Sequence, residues 1–382
     1  MRSSSMEKNP EIFDCAVIGG GLAGLCLAIQ LSQENISVVL FEKNEYPFHK
    51  VCGEYISMES WNFLERLGIP LSTLHLPLIN ELGISSEKGF MLNHSLQMGG
   101  FGISRYSLDH HLSKLAIASK VKVIQNCKVL SVESREPEYS EIHTSSGIFN
   151  SKIVCGSYGK YTPAFMQKGS SVAETKNNYI GVKYHIKSDL KPSRIELHNF
   201  QDGYCGISKV DQEWYCLCYL TTSENLKNNG KDIKEMEGRI LHQNPFLKRY
   251  FTESEFVNPH PLAISNIHFN KKQTSVERVF LLGDAAGSIT PLCGNGMSMG
   301  MRASALLASE LVDFFRNKKK FDDVVIDYNN IWNKNFKQRI IAGSYLQNLF
   351  GKKNTTHVAL KALNKVPVLM KHLISLTHGE KF

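Results

Sequence analysis

Asp14-Cys15-Ala16-Val17-Ile18-Gly19-Gly20-Gly21-Leu22-Ala23-Gly24, followed by a helix-compatible stretch and then Val38-Val39-Leu40-Phe41-Glu42, decides the fold of the N-terminal part of this chain. An apolar strand leads into G-x-G-x-x-G, an apolar helix leaves it, and an acidic residue closes the next strand, the context of a dinucleotide-binding βαβ unit. Gly19 allows the tight turn, Gly21 lets the backbone approach a pyrophosphate, and Gly24 lets the helix lie close to the strand. The helix starts at Leu22 and Ala23, and free N–H groups there favour phosphate. Glu42 is placed to hold a ribose hydroxyl, and Lys43 beside it joins the same cofactor-binding set. The other reading of this run is a glycine-rich turn in an ordinary α/β protein.

With 382 residues the chain is too long for one ordinary core and reads as two domains with shared boundaries. Its 42% hydrophobic and 21% charged residues are those of a globular protein and exclude intrinsic disorder. The most apolar segment, Cys15 to Leu31, is broken by the glycine turn and does not read as a membrane span. Met1 to Glu11 is short, polar and charged, without the apolar region of a signal peptide, so a cytoplasmic location is expected. Nine cysteines, an odd number without a C-x-x-C pair, argue against a disulfide framework and against a zinc site. Cys216 and Cys218 would share one face of a strand, either as small buried residues or as a redox pair.

The charge is placed unevenly. From residue 331 to 382 nine basic residues face Glu380 alone, so this stretch carries the whole net charge of +8. Leu346, Leu349, Phe350, Val358, Leu360, Leu363, Val366, Leu369, Met370, Leu373 and Ile374 recur there at roughly helical spacing. Such a basic amphipathic region either makes peripheral contact with an anionic membrane or covers the protein body with a solvated lysine face. No aromatic-rich basic stripe accompanies the charge, and nucleic acid is not an expected partner.

Beyond the first βαβ unit, Leu108 to Ser119 has a helical pattern, and four short strands between Val121 and Cys155 read as a meander returning to a parallel sheet. From Tyr179 to about Pro261, alternating strands read as a second, antiparallel sheet forming one wall of a pocket. Val279-Phe280-Leu281-Leu282 returns to the first domain, and a long helix begins near Met297. The expected division is a discontinuous cofactor domain (11–80, 100–165 and 265–330), a substrate-binding sheet domain (81–99 and 166–264) and a basic helical region (331–382).

The returning strand carries a second motif, Arg278-Val279-Phe280-Leu281-Leu282-Gly283-Asp284-Ala285-Ala286-Gly287, ending in Pro291-Leu292-Cys293-Gly294-Asn295-Gly296-Met297. Together with the glycine run and Arg105 in Ser104-Arg105-Tyr106-Ser107-Leu108-Asp109, it resembles the FAD-dependent oxidoreductases of the para-hydroxybenzoate hydroxylase fold. The three motifs stand in the family's order, and the resemblance covers residues 12 to about 315. It implies FAD as cofactor and an α/β fold: a Rossmann-like domain with parallel sheet and meander, an antiparallel-sheet substrate domain and C-terminal helices. It also implies that Gly19, Gly21 and Gly24 contact the pyrophosphate, Glu42 the adenosine ribose, Arg105 the phosphate and ribityl region, and Asp284 beside Gly283 a ribityl hydroxyl. A carboxylate at the end of an apolar strand suits polyol hydroxyls. Gly294 and Gly296 leave room for a flat ring, and the helix from Met297 aims its positive end at that ring, favouring the reduced flavin. Read apart from the family, Asp284 is a helix N-cap and Arg105 a surface ion pair.

Gly287 stands where many aromatic hydroxylases have histidine, and Lys50-Val51-Cys52-Gly53 resembles the Lys-x-Cys-Gly segment of geranylgeranyl reductases. The motifs thus lie nearest the branch of geranylgeranyl reductases and flavin-dependent halogenases. This makes Lys50 and Cys52 candidate catalytic residues; Cys52 read alone is a small buried residue near a turn. Tyr204 and Pro291 are candidates for the substrate pocket. Three features depart from the family. Tyr158, before Gly159, replaces the aspartate of the middle Asp-Gly motif, so the usual route for binding NAD(P)H loses its carboxylate and another electron donor is a second reading. Only Tyr204 matches the reductase Tyr-x-Trp-x-Phe-Pro pattern, and Trp61, Trp214 and Trp332 include no halogenase Trp-x-Trp pair. The expected function is reduction of a double bond in a bulky, largely apolar molecule by hydride from flavin N5. Hydroxylation through oxygen capture at flavin C4a is the alternative, halogenation a further one, and a non-catalytic lipid-binding protein on this scaffold the reading from another class.

Overall fold

The computed structural model describes residues 11–135, 138–167, 178–267, 269, 272–290, 292 and 294–382. The chain begins as read: β1 (Ile12–Ile18), α1 (Leu22–Gln33) and β2 (Val38–Phe41) form the βαβ unit, with β1 and β2 parallel. The helix is apolar nearly all round and buried, as a helix sandwiched between sheet and neighbouring helices must be.

A short strand β3 (Tyr55–Ser57), α2 (Trp61–Leu67), the pair β4 (Leu78–Ser85) and β5 (Met91–Gly102), and α3 (Arg105–Ala118) follow. The chain then returns to the first sheet through β6 (Lys122–Ile124) and the meander β7 (Val129–Arg135), β8 (Tyr139–Thr144) and β9 (Gly147–Gly156). Strand β9 serves twice: its first half pairs antiparallel with β8, its second half parallel with β1. The second sheet gains β10 (Tyr179–Ile186), β11 (Arg194–Phe200), β12 (Gly203–Lys209) and β13 (Tyr215–Thr222). Helices α4 (Ser223–Asn228), α5 (Ile233–Arg239) and α6 (Pro245–Glu253) precede β14 (Leu262–Ile267), and β15 (Ser275–Val276) and β16 (Val279–Leu281) re-enter the first sheet. Four helices close the chain: α7 (Gly296–Phe315), α8 (Phe321–Leu349), α9 (Lys353–Lys365) and α10 (Pro367–Ser375).

The first sheet runs β15-β16-β9-β1-β2-β6, its parallel core assembled from strands near residues 15, 40, 123, 154 and 280. The second runs β14-β10-β13-β12-β11-β4-β5-β3. It is the expected antiparallel sheet at every pairing but one, where β4 and β11 run parallel. A strand so far along the chain can join the β4 edge in either direction, and alternation reports faces, not direction. Helix α1 packs against α7, and Gly300 of α7 leaves ordinary contact distance to Ala23 and Gly283, which draws the two cofactor motifs together. Among the described cysteines none forms a disulfide; Cys15 and Cys155, on the adjacent strands β1 and β9, hold their sulfurs 3.8 Å apart.

Candidate active site

One cavity of about 950 Å³ runs from the glycine turn, between the two sheets, to the C-terminal helices. At its first end Gly19 has φ +104°, and a Cβ there would lie 2.4 Å from the carbonyl oxygen of Ser157. A Cβ on Gly24 would meet the Gly19 oxygen at 2.2 Å, the close approach of helix and strand that the fingerprint demands. Gly21 is the N-cap of α1, lines the cavity and has its nearest neighbour, Arg105 Nη2, 4.0 Å from the position of a Cβ. No side chain caps the helix, so the amides of its first turn, from Leu22, Ala23 and Gly24, remain donors for an anion.

Glu42 lines the cavity at the end of β2, but its carboxylate does more than wait for a ribose. Its Oε2 accepts the Gly20 amide at 3.0 Å, and its Oε1 accepts the Asn44 backbone and side-chain N–H groups at 3.0 Å. Each carboxylate oxygen accepts two hydrogen bonds, so Oε2 retains capacity for a hydroxyl while it holds the turn. Lys43 lines the cavity beside it.

Arg105 opens α3, capped by Ser104, whose Oγ accepts the Ser107 amide. Its guanidinium grips Asp109 with two bonds of 2.8 and 2.7 Å, and Lys50 Nζ reaches the same carboxylate at 2.8 Å. Burial alone would raise the Asp109 carboxyl, but Arg105 and Lys50 together hold it below the usual carboxylate range. Burial pushes the Lys50 ammonium below its ordinary value, with Asp109 opposing. Lys50 thus stands in the cavity wall as one arm of a fixed ion-pair cluster.

Sequence reasoning missed the group behind this cluster. Glu54, fully buried, receives Lys183 Nζ at 2.5 Å, lies 2.7 Å from His185 Nε2, and accepts the Arg105 backbone N–H at 2.7 Å. Burial works against this carboxylate, yet the His185 bond and the Lys183 charge keep it below its usual range. Lys183 also donates to the Lys50 carbonyl at 3.2 Å, so it pins the loop that carries Cys52. The available signal was a lysine and a histidine two apart in the apolar strand Tyr179–Ile186, which places both on one face.

Cys52 lines the cavity, its sulfur 3.6 Å from Met297 Sδ, and its carbonyl accepts the Cys216 thiol at 3.2 Å. Cys216 is buried, and burial pushes its thiol well above the ordinary value; Cys218 lines the cavity two residues on. A buried thiol of that kind argues for a packing role, not a redox pair.

The second motif closes the other side. Gly283 has φ +61°, and Asp284 lines the cavity, half-buried, with no ion pair among the described residues. Gly294 has φ +66° and admits the Tyr55 ring, which would lie 3.0 Å from a Cβ there. Helix α7 begins at Gly296 with no side-chain cap, so its first amides, with Met297, face the cavity. Pro291 falls outside the described residues. Tyr158 and Gly159 also line the cavity, and burial pushes the Tyr158 hydroxyl up to about 12.

Beyond Met297 the lining turns apolar. Leu82, Ile84, Leu96, Leu197 and Leu220 come from the second sheet, with Tyr204, which stands edge-on to Phe350 at 6.4 Å between ring centres. Leu360, Leu363, Met370, Leu373 and Ile374 from α9 and α10 close the far side. The cavity therefore joins two halves: amides, Glu42, Arg105 and Asp284 suited to a nucleotide, and an apolar chamber beyond. The donors at α1, the tight turn at Gly19, the clearance at Gly21, and an Asp284 carboxylate with no ion pair among the described residues fit FAD.

Residues 17–51 match the NAD(P)-binding Rossmann-like domain family. The chain is 23% identical to Conditioned medium factor receptor 1 of Dictyostelium discoideum, over 85% of this chain and 68% of that one. It is 22% identical to the FAD-dependent monooxygenase adrH of Penicillium rubens, over 80% and 69%. With the digeranylgeranylglycerophospholipid reductase of Methanococcus vannielii it shares 21% identity, over 96% of this chain and 98% of that one. Among solved structures, the flavin-dependent brominase Bmp2 superposes with a TM-score of 0.79 at 16% identity, covering 96% of this chain and 93% of the other. PqsL from P. aeruginosa, in complex with 2-aminobenzoylacetate, gives 0.72 at 14%, covering 90% and 98%.

Proposed function

We propose that this FAD-dependent oxidoreductase saturates a carbon–carbon double bond in a bulky, largely apolar molecule held in the chamber between Met297 and the C-terminal helices. The observation that carries the reading is that the second sheet and the C-terminal helices line the cavity mainly with leucine, isoleucine, methionine and tyrosine side chains, with Thr356, Thr377 and His378 among them. Such a wall rewards apolar area, roughly 25 cal/mol per Å² withdrawn from water, and offers few groups to orient a polar substrate. The near co-extensive match with the archaeal reductase supports it, as does the placement of Lys50 to Gly53 in the wall where the two halves meet.

Bound and reduced, FAD supplies a hydride to one alkene carbon; the other carbon then needs a proton. In this assignment Gly21 and the first amides of α1 would hold the pyrophosphate, Glu42 the ribose and Asp284 the ribityl chain, while the uncapped start of α7 would offer its amides to the flavin end. Arg105, committed to Asp109, would act through its charge on the phosphate and ribityl region. Cys52 stands where a thiol proton can reach the chamber, on a loop fixed by the Cys216 thiol and by Lys183. Lys50 holds positive charge at the rim and keeps Asp109 ionised.

Anaerobic photoreduction of the holoprotein in the presence of a polyprenyl alkene tests the reading. Reoxidation of the flavin without oxygen, with product heavier by two hydrogens, supports it. Reoxidation that requires oxygen, with product heavier by one oxygen, establishes instead the monooxygenase reading that the fungal relative favours.

A further inference from the structure

We propose that the outward face of α9 and α10 docks on an anionic lipid bilayer, with the roof of the apolar chamber lying against the membrane. The two helices carry apolar side chains on both the inward and the outward side. Inward, Leu360, Leu363, Met370, Leu373 and Ile374 line the cavity, and α9 packs on β5 and β11. Outward, Val358 on α9 is 65% exposed, and Val366, Val368 and Leu369 at the bend into α10 are 49%, 77% and 46% exposed. A lone exposed valine is ordinary; a run of them at a helical bend forms an apolar ridge that water serves poorly.

The charge around that ridge selects the occupant. Lys361 and Lys365 lie on the same face of α9 as Val358, by their spacing of three and seven residues, and Lys371 stands on α10. All three are exposed and form no ion pair among the described residues, whereas Lys353 is paired with Glu87 at 2.7 Å. From residue 351 onward the chain has one acidic residue, Glu380. Valine and leucine can sink to the acyl boundary while lysine stems extend to the headgroups, the arrangement of a helix lying in the interface. No described helix is long and apolar enough to cross a membrane, so the contact is a surface one.

That the bilayer side is also the substrate's side rests on the reading of the chamber given above; the docking itself does not. The test uses the full chain with FAD bound, sedimented with phosphatidylcholine vesicles with and without phosphatidylglycerol. Binding to the anionic vesicles, lost at high salt, is expected. Each exposed lysine near an anionic surface contributes about fivefold in partition. The variant Lys361→Glu/Lys365→Glu should therefore reduce partition by at least about tenfold, and Val368→Asp should reduce it as strongly while both keep the wild-type melting temperature. Equal binding to neutral vesicles, unchanged binding by either variant, or no binding at all overturns the proposal. So does a concentration-dependent dimer, abolished by Val368→Asp, in a protein that ignores vesicles: a second copy then covers the ridge. Because sedimentation needs no turnover, docking without alkene reduction would remove the proposed reaction and leave the surface standing.

Discussion

A methyl group is enough to probe the nucleotide end. At Gly19 an alanine meets both a left-handed φ of +104° and the Ser157 carbonyl at 2.4 Å, and neither can yield without moving β1 or β9. Gly19→Ala is expected to destabilise the fold by about 1–3 kcal/mol and to lower bound flavin, read from thermal unfolding and visible absorbance. Asp284→Ala, in a half-buried position without an ion pair, should leave the melting temperature of the apoprotein within about a degree or two and weaken FAD by at least about tenfold, measured by flavin titration. Cys52→Ala is expected to lower the rate of alkene reduction with little change in FAD affinity; unchanged turnover would remove Cys52 from the reaction. The glycines and Asp284 were legible because turn geometry and strand ends mark such residues locally. The duties of Glu42 and Lys50 were not: the carboxylate that fixes Lys50 lies 59 residues away, and no periodicity joins them.

At the scale of elements, β10 carries the feature least visible beforehand. Lys183 and Glu54 are 1% and 0% exposed, and Glu54 keeps its charge through His185 as well as through Lys183. Lys183→Met, which leaves buried Glu54 with His185 and the Arg105 amide as its remaining partners, is expected to cost about 1.5–3 kcal/mol, and Lys183→Met/Glu54→Gln to recover much of it in urea unfolding. Strand β11 offers a pH signature. Burial opposes ionisation of Glu196, but His198, 3.2 Å away, and Arg194, 2.6 Å away, bring its carboxyl down to about 2 from a usual 4.5. A carboxylate lowered on folding stabilises above its unfolded value and loses that contribution as pH falls toward the folded one. Stability should therefore decline through this group as pH falls between about pH 5 and pH 2, and Glu196→Gln should flatten that decline in urea titrations. Periodicity placed these strands well. It could not reveal that β3 joins the second sheet, because three residues hold no period, or that β4 meets β11 in parallel.

Across the whole molecule, the C-terminal residues reach back to the cofactor helix. Asn295, the N-cap of α7, donates to the Thr377 carbonyl at 2.8 Å. Arg339 bridges that same carbonyl to buried Glu59, which also accepts the Gly379 amide at 2.7 Å. Removing residues 376–382 is expected to lower the melting temperature and to increase flavin loss on dilution, a coupling that composition alone, with its excess of lysine, does not disclose. The same long reach governs biosynthesis. The parallel core takes its strands from near residues 15, 40, 123, 154 and 280, so a growing chain holds β1 and β2 long before β16 and α7 exist. Synthesised at about 5–20 residues per second, the nascent protein spends on the order of ten seconds or more with an open edge on β9 and half a nucleotide site. A complete nucleotide site therefore waits for the late elements: flavin can be gripped from both sides only once β16 and α7 have joined β1 and α1.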